Sequence, residues 1–292
     1  MCCITFVATT MAAPTHAAPG PEPLTVTKVV PSDRAPWPNH TLVLAWMDRD
    51  GGRLYPLPLL DRYGVLLDER GGRRVAATWS ADTGTATLLA LPGVTKVASS
   101  QVAVDGWRRV RDPVSASEWL PGKPLAVTGP STEQLWPVPE TAIMPLRLAR
   151  RLAPTAQIPI SNDPPAVLNA GWQRTRKRTL IPTMEQRLTV VLAREDAAAW
   201  RLDALPPHGL VKTEIGGLAV LVVRAHRVSR AFMAPMTPTG APWLWTERVG
   251  LWNGLTGQRL DDRRAATQAL AVIELSEAAF RTHWSGGIIH GR

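Results

Sequence analysis

An internal repeat constrains this fold more than any other feature. The first copy runs R-L-Y-P-L (Arg53–Leu57), G-V-L-L-D-E-R-G-G (Gly64–Gly72) and V-A-A-T-W (Val75–Trp79). The second runs A-A-W-R-L (Ala198–Leu202), G-L-V-K-T-E-I-G-G (Gly209–Gly217) and V-L-V-V (Val220–Val223). The copies align without a gap, placing Tyr55 on Trp200, Gly64 on Gly209 and Gly71-Gly72 on Gly216-Gly217. Upstream, Val43-Leu44-Ala45 matches Val191-Leu192-Ala193 after a short insertion, and downstream Trp119 matches Trp252. Such a spacing is too long for a solenoid and implies two homologous subdomains. They are assigned to 41–160 and 187–292, after an extended segment over 19–40. Residues 161–186 form a polar, basic, Pro-containing connector, whose Leu168, Trp172 and Ile181 argue that it packs across the subdomains.

Each copy reads mainly as β, giving an α+β fold in which a short helix closes each subdomain. Leu42–Trp46 and Val190–Ala193 are apolar runs of strand length. The Gly-Gly pairs sit between apolar runs, a hairpin signal, because glycine supplies the positive φ that tight hairpin turns need. Thr85–Leu91 is a further strand. Helices are expected over about Glu140–Leu152, with Pro145 delaying the start, and over about Leu270–His283, where Ile273, Leu275, Ala279 and Phe280 fall at roughly helical spacing. Twenty-seven prolines and 22 glycines fit many short strands better than an all-helical protein.

The apolar fraction of 45% and charged fraction of 20% place the chain among globular proteins. No apolar run reaches the roughly 18–20 residues a transmembrane helix needs. Residues 1–18 (MCCITFVATTMAAPTHAA) resemble the apolar region and small-residue cleavage site of a secretory signal peptide, although no positively charged start precedes them. Export to the periplasm or the extracellular space is therefore expected. The only cysteines are Cys2 and Cys3, so cleavage leaves a chain without thiol chemistry. The net charge of +9 is carried mainly by scattered Arg, with local clusters at Arg147, Arg150 and Arg151 and at Arg174, Arg176, Lys177 and Arg178. No nucleic-acid-binding motif accompanies it, so nucleic acid is not favoured as a partner, while peripheral contact with an anionic surface stays open.

Tyr55-Pro56-Leu57, Asp68-x-x-Gly71-Gly72, Val75–Trp79 and Gly84-Thr85-Ala86 resemble the hallmark of a bacterial family, domain of unknown function number thirty-one seventy-nine. That hallmark runs A-Y-P-L … W-H-E-I-V-N-D-x-x-G-G-x-P-V-x-V-x-Y-C-P-L-C-G-T-A. Leu188–Val223 resembles the family's second, shorter copy and Leu251–Leu260 its closing segment, so the resemblance covers most of residues 40–285. It implies the scaffold more than a chemistry. The family's two cysteines fall here on Ser80 and Thr83, its Pro-Leu on Ala81-Asp82, its Tyr on Trp79, its His on Tyr63 and its Asn on Leu67, while its Asp is kept as Asp68. The resemblance thus describes a member that kept the glycines and strands and lost both thiols and the imidazole.

Candidate chemistry follows from those positions. Asp68, Trp79, Ser80, Asp82 and Thr83, with Tyr63 and its second-copy counterpart His208, form a candidate polar site, yet no base for Ser80 is visible nearby in sequence. Asp82-Thr83-Gly84 also reads simply as a turn. The six histidines show no H-x-x-x-H spacing, and the acidic pairs Asp48/Asp50 and Asp261/Asp262 do not match a calcium loop, so no metal and no cofactor is assigned. Trp243, Trp245 and Trp252 are either core or an aromatic platform for a glycan or a protein partner. The reading favoured is an exported, non-catalytic binding or accessory subunit. The alternatives are an enzyme rebuilt around Ser80, Asp82 and Asp68, or a protein that binds glycan or anionic polymer through Trp and Arg.

Overall fold

The computed structural model describes residues 22–48, 51–81, 84–91, 98–99, 109–112, 114–120, 123–131, 141–178, 187–193, 196–201, 204–205, 210–225, 228–233, 243–246, 250–253 and 269–291. The first half contains β1 (Leu24–Thr25), β2 (Val29–Pro31), β3 (Leu42–Asp48), β4 (Gly51–Pro56), α1 (Leu57–Tyr63), β5 (Val65–Arg70), β6 (Arg73–Ser80) and β7 (Thr85–Ala90). It continues through β8 (Ala98–Ser99), β9 (Val110–Arg111), β10 (Glu118–Leu120), β11 (Lys123–Thr128), β12 (Thr141–Pro145), α2 (Leu146–Leu152) and β13 (Gln157–Pro159). Helix α3 (Pro165–Arg178) follows. The second half contains β14 (Arg187–Ala193), β15 (Asp196–Arg201), β16 (Leu210–Ile215), β17 (Leu218–Ala225), β18 (Val228–Met233), β19 (Trp243–Thr246), β20 (Gly250–Asn253), β21 (Ala269–Ser276), α4 (Glu277–His283) and β22 (Ile288–His290). The mainly β expectation holds.

One pattern of pairing occurs twice. In the first half the order is β12-β3-β4-β13, and in the second β21-β14-β15-β22. Each runs antiparallel, antiparallel, parallel. The central hairpins close on Asp48↔Gly51 and Ala193↔Asp196, the same 145-position spacing that separates Gly71 from Gly216. The short insertion expected upstream is therefore absent: by register Leu42 corresponds to Arg187, and Leu44 to Thr189. The Gly-Gly pairs lie at the tips of β5–β6 and β16–β17, with φ of 55° and 73° in the first and 55° and 74° in the second. Two consecutive positive φ values match the right-handed strand twist in a two-residue turn.

The two expected long helices are corrected. Their first parts are strands β12 and β21, and only Leu146–Leu152 and Glu277–His283 are helical. Ile273 and Leu275 are two residues apart, the period of a strand, and β14 supplies their backbone partners. Pro145 stands extended at φ −62°, ψ 140° as the N-cap of α2, a place where its missing N–H costs nothing. Two further helices escaped the sequence reading. Helix α1 follows Pro56 with Pro58 in its first turn, and buries Leu57, Leu59 and Leu60. Helix α3 occupies the expected connector, buries Leu168 and Trp172, and packs on α1, where Thr175 Oγ1 donates to Asp61 Oδ2 at 2.8 Å. Ile181 lies outside the described residues.

The halves share a sheet. Strand β21 pairs with β14, takes β18 on its other edge, and meets β7 of the first half at Glu274↔Ala86. A continuous path β1-β5-β6-β7-β21-β14-β15-β22 results, with β16-β17-β18 attached through β18. Strand β12 of the five-stranded sheet crosses this junction and contacts β7, β18 and β21. The extended N-terminal segment adds β1 to the large sheet and β2 to the five-stranded one, and buries Ala35 and Trp37. Arg150 holds it down, its Nε donating to the Ser32 carbonyl at 2.8 Å.

Candidate functional site

The β6–β7 hairpin carries the residues on which the family's thiol segment falls. Alternation sends Val75, Ala77 and Trp79 into the first-half core with Ala86 and Leu88. The opposite face carries Thr78, Ser80, Thr85 and Thr87, all buried, in register as Ser80↔Thr85 and Thr78↔Thr87. Thr78 Oγ1 donates to the Thr87 carbonyl at 3.1 Å, whereas Ser80 Oγ has no hydrogen-bond partner. The turn is closed by the Gly84 N–H donating to the Ala81 carbonyl at 3.2 Å, with Gly84 at φ 64°. Asp82, Thr83 and His208 lie outside the described residues.

Asp68 is not brought to Ser80. It pairs in register with Val75, five residues back along β6 and on the other face, a separation of roughly 16 Å along the strand. Its carboxylate is instead held by a buried cluster. Arg53 Nε lies 2.7 Å from Oδ2, the Tyr55 hydroxyl donates to Oδ2 at 2.9 Å, and the Glu69 backbone N–H donates to Oδ1 at 2.8 Å. Arg53 Nη1 donates in turn to Gln157 Oε1 at 2.8 Å, so the cluster ties β4, β5 and β13 together. Tyr63 is also elsewhere. It ends α1 half-buried, and its hydroxyl donates to Asp163 Oδ2 at 2.9 Å. Asp68 and Tyr63 therefore serve as structural anchors.

These contacts make an alkaline signature. Burial, then the Asp68 carboxylate, pushes the Tyr55 phenol well above its ordinary value near 10. Burial and the hydrogen bond to Asp163 raise Tyr63 as well. These are the chain's two tyrosines. At pH 10 an absorbance titration near 295 nm should thus show well under half of the tyrosinate signal in the folded protein, against half in denaturant. In the unfolded chain Tyr55 releases its proton first. Its contribution to stability is full below pH about 10 and is lost as pH rises through the folded value. Tyr55→Phe should flatten that alkaline decline, and an unchanged slope would refute the assignment.

On the Trp79 face the structure assembles a group that sequence reasoning missed. Arg187, at the start of β14, is buried at 2% exposure, and its Nη1 donates to the Gly84 carbonyl. Its guanidinium carbon lies 5.9 Å from the centroid of Trp79, and the Trp172 ring meets Trp79 edge-on at 5.5 Å and 61°. Register places Trp79 beside Ala86, Ala86 beside Glu274 and Glu274 beside Thr189, so these residues share one sheet face with Arg187. The Ile143 N–H of β12 donates to Glu274 Oε2 at 3.4 Å. Burial lowers the Arg187 pKa, and the Glu274 charge opposes that shift. The signal in the sequence was a lone Arg heading an apolar strand, where the first half has Leu42. It became meaningful only once the register was known.

Trp243, Trp245 and Trp252 lie on one two-stranded hairpin, β19–β20. Trp243 pairs with Asn253, Trp245 with Leu251 and Trp252 with Leu244, so the three tryptophans are not register partners of one another. A cleft of about 340 Å³ lies between the Gly216 turn and the α4–β22 loop, with Asp196 and Glu214 exposed at its wall. Among the described residues no group of three or more His, Cys, Asp or Glu side chains is placed to hold a metal ion, and no helix is long and apolar enough to cross a membrane. No family model, no curated protein and no solved structure matches this chain.

Proposed function

We propose that this chain is an exported, non-catalytic binding or accessory protein on a duplicated β-rich scaffold, a relative of the thiol-motif family that has lost its thiols. The observation that carries this reading is the separation of Ser80 from Asp68 and Tyr63, the described residues nominated to act with it. Its hydroxyl is buried on one sheet face, Asp68 is engaged by Arg53 and Tyr55 on the other, and Tyr63 is spent on Asp163. A serine nucleophile needs a base within hydrogen-bond reach, and none stands there among the described residues. The repeated strand order, with the same glycines at the same turns, supports the duplication.

The test is labelling of the purified protein with a fluorophosphonate probe, followed by peptide mapping. Ser80 is expected to remain unmodified at probe levels that saturate a serine hydrolase. Stoichiometric labelling of Ser80 would return the chain to the enzymes. Native mass spectrometry on material from its own host reads export in the same experiment. The mature mass should lack about the first 17 residues, as the small-residue cleavage pattern requires.

A further inference from the structure

We propose that Arg187 anchors a buried site for a small oxyanion, a carboxylate or phosphate group, at the junction of the two halves; this names a ligand class for the binding reading above and rests on it. The argument starts from unmet hydrogen bonds. Arg187 spends Nη1 on the Gly84 carbonyl, but its Nε and Nη2 have no partner although the side chain is buried. Trp79 Nε1 and Thr189 Oγ1, on the same sheet face, are buried and without partners too. Leaving a buried cation underserved is costly, because desolvation is not repaid. A buried polar group without a partner calls for an explanation, and a bound ion is one.

The donor set points to the acceptor. Nε and Nη2 form the edge of a guanidinium that takes two oxygens of a carboxylate or phosphate at once. The Trp79 ring beside the guanidinium restrains its plane. Glu274 is the acidic group whose charge acts on Arg187. It offsets part of the positive charge, but its Oε2 accepts from Ile143, and Arg187 Nε and Nη2 still lack an acceptor.

The repeated architecture gives an internal comparison. At the positions of Arg187, Thr189 and Glu274 the first half carries Leu42, Leu44 and Ile143, of which Leu44 and Ile143 are buried at 1%. An apolar trio therefore suffices for the scaffold. The polar trio in the second half asks for a reason beyond folding, and a bound anion supplies one.

The experiment is calorimetric titration of the full chain with inorganic phosphate and, separately, acetate, at constant ionic strength against chloride. Thermal unfolding is followed in the same buffers. Saturable binding of one anion is expected, with a rise in Tm that chloride does not give. Arg187→Met should weaken it roughly 10- to 100-fold, the worth of charge-assisted hydrogen bonds. Should that variant not fold, Thr189→Val preserves the volume and should still weaken binding several-fold. Arg147→Gln, at an exposed position of α2, serves as the control for surface charge and should leave binding intact. Preference for phosphate or for acetate separates the two sources of the shared chemistry. Heat and Tm indistinguishable from chloride overturn the proposal, as does binding that survives both Arg187→Met and Thr189→Val. Those results would leave the non-catalytic reading standing, whereas Ser80 labelling with an intact anion response would remove that reading alone.

Discussion

Asp68→Ala is expected to destabilise the protein by about 3–5 kcal/mol, the cost of stripping one partner from a buried ion pair. The side chains of Arg53 and Asp68 are 6% and 2% exposed, so water cannot replace the lost carboxylate without opening the fold. The deletion strands the Arg53 guanidinium and leaves the Tyr55 hydroxyl without its acceptor. It also frees the Glu69 N–H and loosens the tie between β4, β5 and β13. Urea unfolding reads the loss directly, and for a domain of ordinary stability it is a large fraction of the total. The informative partner is the double variant Arg53→Met with Asp68→Leu. It should regain most of the loss, because an apolar pair of similar volume is often as good as a buried ion pair. A loss under about 1 kcal/mol for Asp68→Ala would show that the cluster is hydrated and that its geometry does not hold the strands.

Trp79→Ala is the second large effect, again about 3–5 kcal/mol by the usual cost of emptying a buried aromatic site. Trp79 is 1% exposed and sits where three things meet: the first-half core, Trp172 of α3 and Arg187 of β14. Its loss opens a cavity, frees the edge contact with α3 and removes the aromatic partner of a buried cation. Trp172→Ala is the reference, since it takes away the α3 side of the contact but leaves the Arg187–Trp79 pair. The Trp79 substitution should therefore cost more of the two. Thermal unfolding with fluorescence detection checks the ranking, and the reverse order would place the key packing in α3 instead of at the junction.

Much of the scaffold was legible before any coordinates. The Gly-Gly hairpins were readable because only glycine occupies two successive positive-φ positions without strain, and that requirement is local. Strands β3, β6, β7 and β14 announced themselves by apolar runs of strand length. The two closing helices were misread in length because Ile273, Leu275, Ala279 and Phe280 fit a helix on spacing alone. The backbone partners that make β21 a strand sit on β14, about 85 residues away in sequence. Helix α1 escaped because its seven residues are too few to show a period, and α3 because its buried stripe is narrow, Leu168 and Trp172 being its described buried apolar anchors. The hallmark positions fall on the β6–β7 hairpin and its neighbours. They could not say that Trp79 and Ser80 face opposite ways with respect to the residues that matter, or that Asp68 already belonged to Arg53 and Tyr55.

The sequence by itself determined the turns, the strand-rich class and the absence of thiols beyond residue 3, because each depends on residue type and near neighbours. Only the tertiary structure decided that the halves share one sheet through β21, that Asp68 and Tyr63 are parted from Ser80, and that Arg187 is buried against Trp79 and Gly84. The reason is physical. Side-chain partnership across a sheet is set by register and by which strands lie side by side, and both emerge from long-range pairing that no local window contains.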